Sequence, residues 1–100
     1  MAEFTSLRPG TLLAPVPAVM VSCARAGERP NIITVAWAGT VCSEPPMCSI
    51  SVRKERFSHA VIRDSGEFII NLVGQAQARA ADFCGVKSGR DVDKYSACGL

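Results

Sequence analysis

Two adjacent prolines, Pro45 and Pro46, stand between two runs of β-forming residues and constrain the chain more than any other feature. Neither ring has an amide to give to a ladder, so a strand that reaches Glu44 must stop and turn. The run before them, Ile32 to Ser43, is long and β-branched and reads as one strand. Met47 to Arg53 reads as the next. Ala18 to Ala24, loosely alternating and rich in valine, is an earlier strand, separated from Ile32 by the loop Ala26 to Asn31. The segment before it, Leu7 to Pro17, is kept extended by Pro9, Gly10, Pro15 and Pro17.

Beyond the prolines the period changes. Phe57, Ala60, Val61 and Asp64 fall at helical spacing, which predicts a helix over Glu55 to Arg63, ended by Ser65-Gly66. Glu67 to Val73 is apolar on both faces and is expected to be a central strand. Gln75 to Cys84 is alanine-rich and helical, Gly85 to Asp93 is a loop, and Lys94 to Leu100 is too short to assign. Three strands before the first helix argue for an antiparallel sheet or barrel with helices at its ends. Neither GxGxxG nor GxxxxGK[ST] occurs, so a doubly wound nucleotide fold has no support.

One hundred residues, 48% of them apolar, suffice for one domain with a core. No apolar run approaches the ~18 residues of a membrane span, and no basic-then-apolar leader opens the chain, so a cytoplasmic protein without a membrane partner is expected. Five cysteines, an odd number without CxxC spacing, and a single histidine, His59, predict neither disulfides nor a metal site. The net charge of +2 is too small to imply nucleic acid, but it is unevenly placed. Arg53, Lys54, Arg56 and Arg63 against Glu55 put +3 into one turn and the helix after it.

Split by parity, the strand from Ile32 shows Ile32, Thr34, Ala36, Ala38, Thr40 and Cys42 on one face. The other face carries Ile33, Val35, Trp37, Gly39, Val41 and Ser43, bulkier and suited to a core, which places Trp37 in packing. The small face would let a flat ring approach the backbone; tight packing in a small barrel explains it as well or better. The next strand carries Ser49, Ser51 and Arg53 on one face and runs into Arg53-Lys54-Glu55-Arg56-Phe57-Ser58. Arginine forks, a serine hydroxyl and a helix N-terminus together suit a phosphate. A solvated basic face is the alternative. The combination favours a flat ring with a phosphate-bearing tail.

Three segments carry a resemblance to a known family. They are Asn31-x-x-Thr34-x-Ala36-Trp37 with Ser43-x-Pro45-Pro46; Ser51-Val52-Arg53-x-x-Arg56-x-Ser58; and Gly66-Glu67-Phe68-x-x-Asn71 with CGVKSGRDVDKY from Cys84 to Tyr95. In this order they resemble the flavin reductase-like family of FMN-binding split barrels, in particular its flavoredoxin-like branch. The resemblance implies a mainly antiparallel split β-barrel with helices and non-covalent FMN. It also implies a homodimer with flavin near the subunit interface, and electrons from NAD(P)H or a redox protein. Asn31 would be among the cofactor-binding residues, and the backbone from Thr34 through Ala36 to Trp37 would meet the isoalloxazine. Ser51, Val52, Arg53, Arg56 and Ser58 would hold ribityl and phosphate, with Lys94 reaching the same region. No catalytic side chain is implied, because the flavin supplies the redox chemistry. Family members continue well past Leu100, so residues 1–100 are read as one FMN-binding domain, truncated at its C-terminus.

An FMN-dependent oxidoreductase or electron carrier is therefore the leading expectation. A module that holds FMN or only dimerises, without turnover, is the alternative. A single-stranded nucleic-acid binder would need stacking aromatics beside the basic turn, where Phe57 stands alone.

Overall fold

A computed structural model describes residues 2–100. The element order is β1 (Val19–Cys23), β2 (Asn31–Val35), β3 (Ala38–Ser43), β4 (Pro46–Ile50), α1 (Phe57–Ser65), β5 (Ile69–Leu72), a 3₁₀ turn (Gln75–Gln77), α2 (Ala78–Val86) and α3 (Lys94–Cys98). The strands form two antiparallel sheets, β2-β1-β5 and the hairpin β3-β4. They are the walls of a barrel that does not close.

The predicted strand from Ile32 to Ser43 is two strands in two sheets. β2 pairs with β1 through Val35↔Val19. The chain then leaves the ladder at Ala36 and Trp37 and re-enters pairing with β4 at Ala38↔Ile50. Small residues at Ala36, Ala38 and Gly39 let the backbone turn this corner, as strands that switch sheets must. A bulge between Thr40 and Cys42 interrupts the hairpin register. The Glu44-Pro45 turn falls where the prolines require it, and Pro46 opens β4, a position that needs no ladder amide. β4 ends at Ile50, but Ser51 still donates its N–H to the Trp37 carbonyl at 2.8 Å. That bond closes the base of the hairpin.

β1 is the central strand, antiparallel to both neighbours. Its two faces feed two cores. Val19 and Val21 pack with Ile33 and Val35 on the barrel side, where Ile50, Val52 and Ile62 cover them. Met20 packs with Ile32, Ala81 and Cys84 on the helix side. Both faces of β2 are thus buried, and the face assigned by parity to a ligand is covered by α2 at Ile32 and Thr34. The Thr34 hydroxyl donates to the Ala81 carbonyl, and Gly85 lies against its side chain.

Three further expectations are corrected. β5 lies at the sheet edge, paired only with β1, and Ile69 and Leu72 are 65% and 83% exposed. Its apolar faces signal a need for cover that these elements do not supply. The first helix begins at Phe57, because Lys54 and Glu55 form a turn closed by Arg56 N–H on the Arg53 carbonyl. Trp37 is 51% exposed, because the break at Ala36 cancels the parity that assigned it to the core.

The surface is larger than the mass requires. A folded protein of 10.6 kDa exposes about 5,500 Å², and this chain exposes 7706 Å². Its radius of gyration is 15.9 Å, against about 13 Å for a compact chain of this length. Residues 2–18, exposed throughout and outside any helix or strand, and the β3-β4 hairpin account for much of the excess.

α1 stops where Gly66 adopts φ 72° and its N–H reaches the Ile62 carbonyl. A side chain at that left-handed position is strained. Gly66→Ala is expected to destabilise the fold by about 1 kcal/mol, read as a lowered urea midpoint with unchanged slope. An unchanged midpoint would show that the helix end tolerates other geometry.

Candidate functional site

Two cavities meet along the outer edge of β2. The first, about 240 Å³, is lined by Ile33 to Trp37 on one side and by Ser51, Val52, Arg53 and Arg56 on the other. β2 is an edge strand, so alternate N–H and C=O groups on that side have no sheet partner and face the cavity. Trp37 stands at its rim and Val52 turns inward to the barrel core.

The second cavity, about 110 Å³, is smaller and more polar and shares Ile33 and Arg56 with the first. Its floor is Asn31, Ser58 and Lys94. Asn31 and Ser58 are both buried, and the Asn31 Nδ2 donates to the Ser58 Oγ at 2.7 Å. No side chain caps the N-terminus of α1, so its first amides are left to the same space. The loop after α2 closes the top with Lys87, Ser88, Gly89 and Arg90.

Lys94 is the decisive group. It is 2% exposed, and its Nζ donates to the Cys84 carbonyl at 2.8 Å. Among the described residues no carboxylate forms an ion pair with it. Glu55 lines the cavity, but its side chain is largely exposed and lies 3.7 Å from Arg53. Asp93 is used as the cap of α3, accepting from the Ser96 amide. Burial, and then the charge of Arg56, hold the Lys94 ammonium below the ordinary lysine range. Arg56, Lys87, Arg90 and Lys94 thus surround a pocket with a single carboxylate. Buried cations are paired or costly, and Lys94, the buried one of the four, has no ion-paired carboxylate among the described residues.

All ten residues singled out from the sequence line one cavity or the other. Thr34, Ala36, Trp37, Ser51, Val52 and Arg53 line the first, Asn31, Ser58 and Lys94 the second, and Arg56 both. Thr34 contributes through its backbone, since its hydroxyl is engaged with α2. Lys87, Ser88 and Arg90 were missed. Ser88-Gly89-Arg90 offers the same hydroxyl and guanidinium chemistry as Arg56-Phe57-Ser58, which is the signal that points to them.

Lys94→Met separates fold from site. Without an anion, removing the buried ammonium is expected to raise stability by about 1 kcal/mol, ~4–8 °C in Tm. The sign follows from linkage. A lysine titrating low in the fold binds fewer protons there than in the unfolded chain, so its contribution rises with pH between the lowered value and 10.5. Cys84, pushed up to about 11 mainly by burial, tilts stability the other way over 9 to 11. The difference between wild type and variant isolates the lysine. A variant less stable than wild type at neutral pH would show that Lys94 is a structural hydrogen-bond donor.

The model of the flavin reductase like domain matches residues 12–100. Flavoredoxin of Desulfovibrio vulgaris (Miyazaki F) superposes with a TM-score of 0.88 at 38% identity, covering 98% of this chain and 54% of that one. The FMN-binding protein from Thermus thermophilus, solved with bound 1-cyclohex-2-enone, gives 0.82 at 25% identity, covering 97% and 56%. The uncharacterized protein YddH of Escherichia coli (strain K12) is 36% identical over 73 residues, 73% of this chain and 39% of that protein. The chain spans about half the length of these solved structures. The match over 89 of its residues, on the open antiparallel barrel that carries the paired cavities, makes this chain a member of the flavin reductase-like domain family.

Proposed function

We propose that the chain is an FMN-binding domain of an oxidoreductase or electron-transfer protein, the flavin lying across both cavities. The carrying observation is Lys94, a buried cation among Arg56, Lys87 and Arg90 with no ion-paired carboxylate. A phosphate monoester supplies the missing charge. The adjoining cavity, walled by the unpaired edge of β2 and by Ser51 to Arg53, supports a flat heteroaromatic ring whose nitrogens and oxygens meet backbone groups.

The geometry supports a division of labour. Arg53 borders the ring cavity, and Arg56, which lines both cavities, stands between ring and tail. Ser58, held by Asn31, and the first turn of α1 offer donors to the phosphate. Trp37 forms the exposed wall of the ring cavity. FMN, when bound, supplies one- and two-electron chemistry; the protein orients it, and no side chain is assigned to catalysis. The electron source in this reading is NAD(P)H or a redox protein. Nucleic acid is not a partner. Among the described residues no helix is long and apolar enough to cross a membrane, and the reading places the protein in the cytoplasm without a membrane partner. A second reading, an FMN-holding or dimerising module without turnover, is favoured by the barrel that does not close.

Replacing Arg53 and Ser58 separately with alanine is expected to weaken FMN by ~1.5–3 kcal/mol each, the size of charge-assisted hydrogen bonds lost. Quenching of flavin fluorescence on titration measures it. Unchanged affinity in both variants would remove the assignment.

A homodimer belongs to the same reading. Ile69 and Leu72 on the free edge of β5, and Val41 and Met47 on the hairpin, are more than half exposed, and long apolar edges are covered in natural proteins. A second copy is the simplest cover. Light scattering after size exclusion at low micromolar concentration is expected to give at least twice the chain mass. A monodisperse folded monomer would contradict it.

A further inference from the structure

The loop that closes the polar cavity is held by a residue outside it. Arg29, in the β1-β2 connection, extends its Nη2 to the Gly89 carbonyl at 2.9 Å and to the Val92 carbonyl at 3.2 Å. Those two carbonyls bracket the descent of the loop into α3, where Lys94 stands two residues further on. The other side of the loop is fastened too. Arg90 donates from Nη1 to the Glu55 carbonyl at 3.0 Å, and its guanidinium lies 5.8 Å from the centroid of the Phe57 ring. Between the two fastenings, Gly89 is pressed onto the floor. A Cβ built there would sit 2.7 Å from Asn31 Cγ and 2.7 Å from Phe57 Cδ1. Only glycine lets the loop come this near, and the approach brings Lys87, Ser88 and Arg90 over the N-terminus of α1.

We infer that Arg29 is a positioning residue that makes the site selective for a flavin bearing a terminal phosphate, by holding the Lys87–Val92 loop over the polar cavity. This rests on the flavin reading above. Arg29 does not line either cavity, so it acts on the ligand only through the loop. The ring cavity is built by Ile33 to Trp37 and by Ser51, Val52, Arg53 and Arg56, while the side-chain hydrogen bonds of Arg29 go to the loop. Its loss therefore acts on the phosphate end alone. The polar cavity, about 110 Å³, has room for a phosphate group, and Lys87, Ser88 and Arg90 line it from the loop, so displacement of the loop removes their donors.

Riboflavin and FMN differ only in the phosphate, and the pair isolates the effect. Both are titrated by fluorescence into wild-type protein, Arg29→Gln and Arg29→Lys, with far-UV circular dichroism and hydrogen exchange on each. Arg29→Gln is expected to weaken FMN about five- to tenfold, the size of one or two lost hydrogen bonds to positioned groups, and to leave riboflavin within about twofold. Exchange at residues 88–92 should quicken while that of β1 is unchanged. Arg29→Lys, which keeps the charge but not the forked donor, should fall near Arg29→Gln. An unchanged FMN-to-riboflavin ratio in a folded Arg29→Gln would overturn the inference while leaving the flavin reading intact. Equal weakening of both ligands would also overturn it, assigning Arg29 to general stability. Wild-type protein that binds neither ligand would overturn the flavin reading, and the inference with it.

Discussion

The hydrogen bond from Asn31 Nδ2 to Ser58 Oγ joins the two halves of the site. Asn31 is the first residue of β2, and Ser58 lies in the first turn of α1. Both are buried. A buried amide and hydroxyl that satisfy each other fix distance and direction more tightly than apolar contact does. The bond therefore sets where the N-terminus of α1 lies relative to the edge of the three-stranded sheet. The corner at Arg56, common to both cavities, follows from that placement. Gly89 then rests on the same asparagine, so the covering loop takes its height from it as well.

The apolar framework has a plainer logic. β1 is covered on both faces and paired on both edges, and with β2 it is among the most buried elements of the fold. Everything else is arranged by what it offers β1: Ile33 and Val35 with the barrel side, Ile32 and the small face of α2 with the other. The β3-β4 hairpin takes little part, meeting this core mainly through Ala38 and Ile50. Its exposure, like that of β5, is a property of an open barrel, whose unpaired edges are the surfaces on which strands or subunits add.

Much of this was legible in the residues. Pro45 and Pro46 placed the hairpin turn, and the helical spacing of Phe57, Ala60 and Val61 placed α1, whose start was misjudged because the Arg53–Arg56 turn has helix-like composition. The long strand failed at Ala36-Trp37. Alternation is a local signal and cannot show that a strand changes sheets, and one break shifts every later side chain relative to the core. Trp37 was misassigned for that reason alone. β5 failed for a complementary reason. Apolar residues on both faces report a demand for burial, and the sequence does not say what meets that demand. Within the site, basic residues near a helix start were visible, since charge and turn chemistry are local. The role of Lys87, Ser88 and Arg90 was not, because it depends on a loop some thirty residues away folding back over α1.

Charge decides what the polar cavity can do. A buried lysine whose neighbours are cations is held below its ordinary range by burial first and by Arg56 second. A dianion placed against it reverses the second effect and compensates the first, so ligand and ammonium stabilise each other's charged forms. Apo protein and phosphate-bound protein then differ in proton count as well as in contacts, and affinity for a phosphate falls as pH rises through the lysine's titration. The same coupling explains why the site needs its covering loop. A cation exposed to water is solvated and holds an anion weakly. Of these cations only Lys94 is buried, beneath Gly89 and in the same cavity as the Ser58 hydroxyl fixed by Asn31, so it is the charge that acts at short range, while Arg56, Lys87 and Arg90 stay exposed at the mouth. The ring cavity, open and walled by backbone, adds shape; the polar cavity adds the electrostatic anchor from which that shape is read.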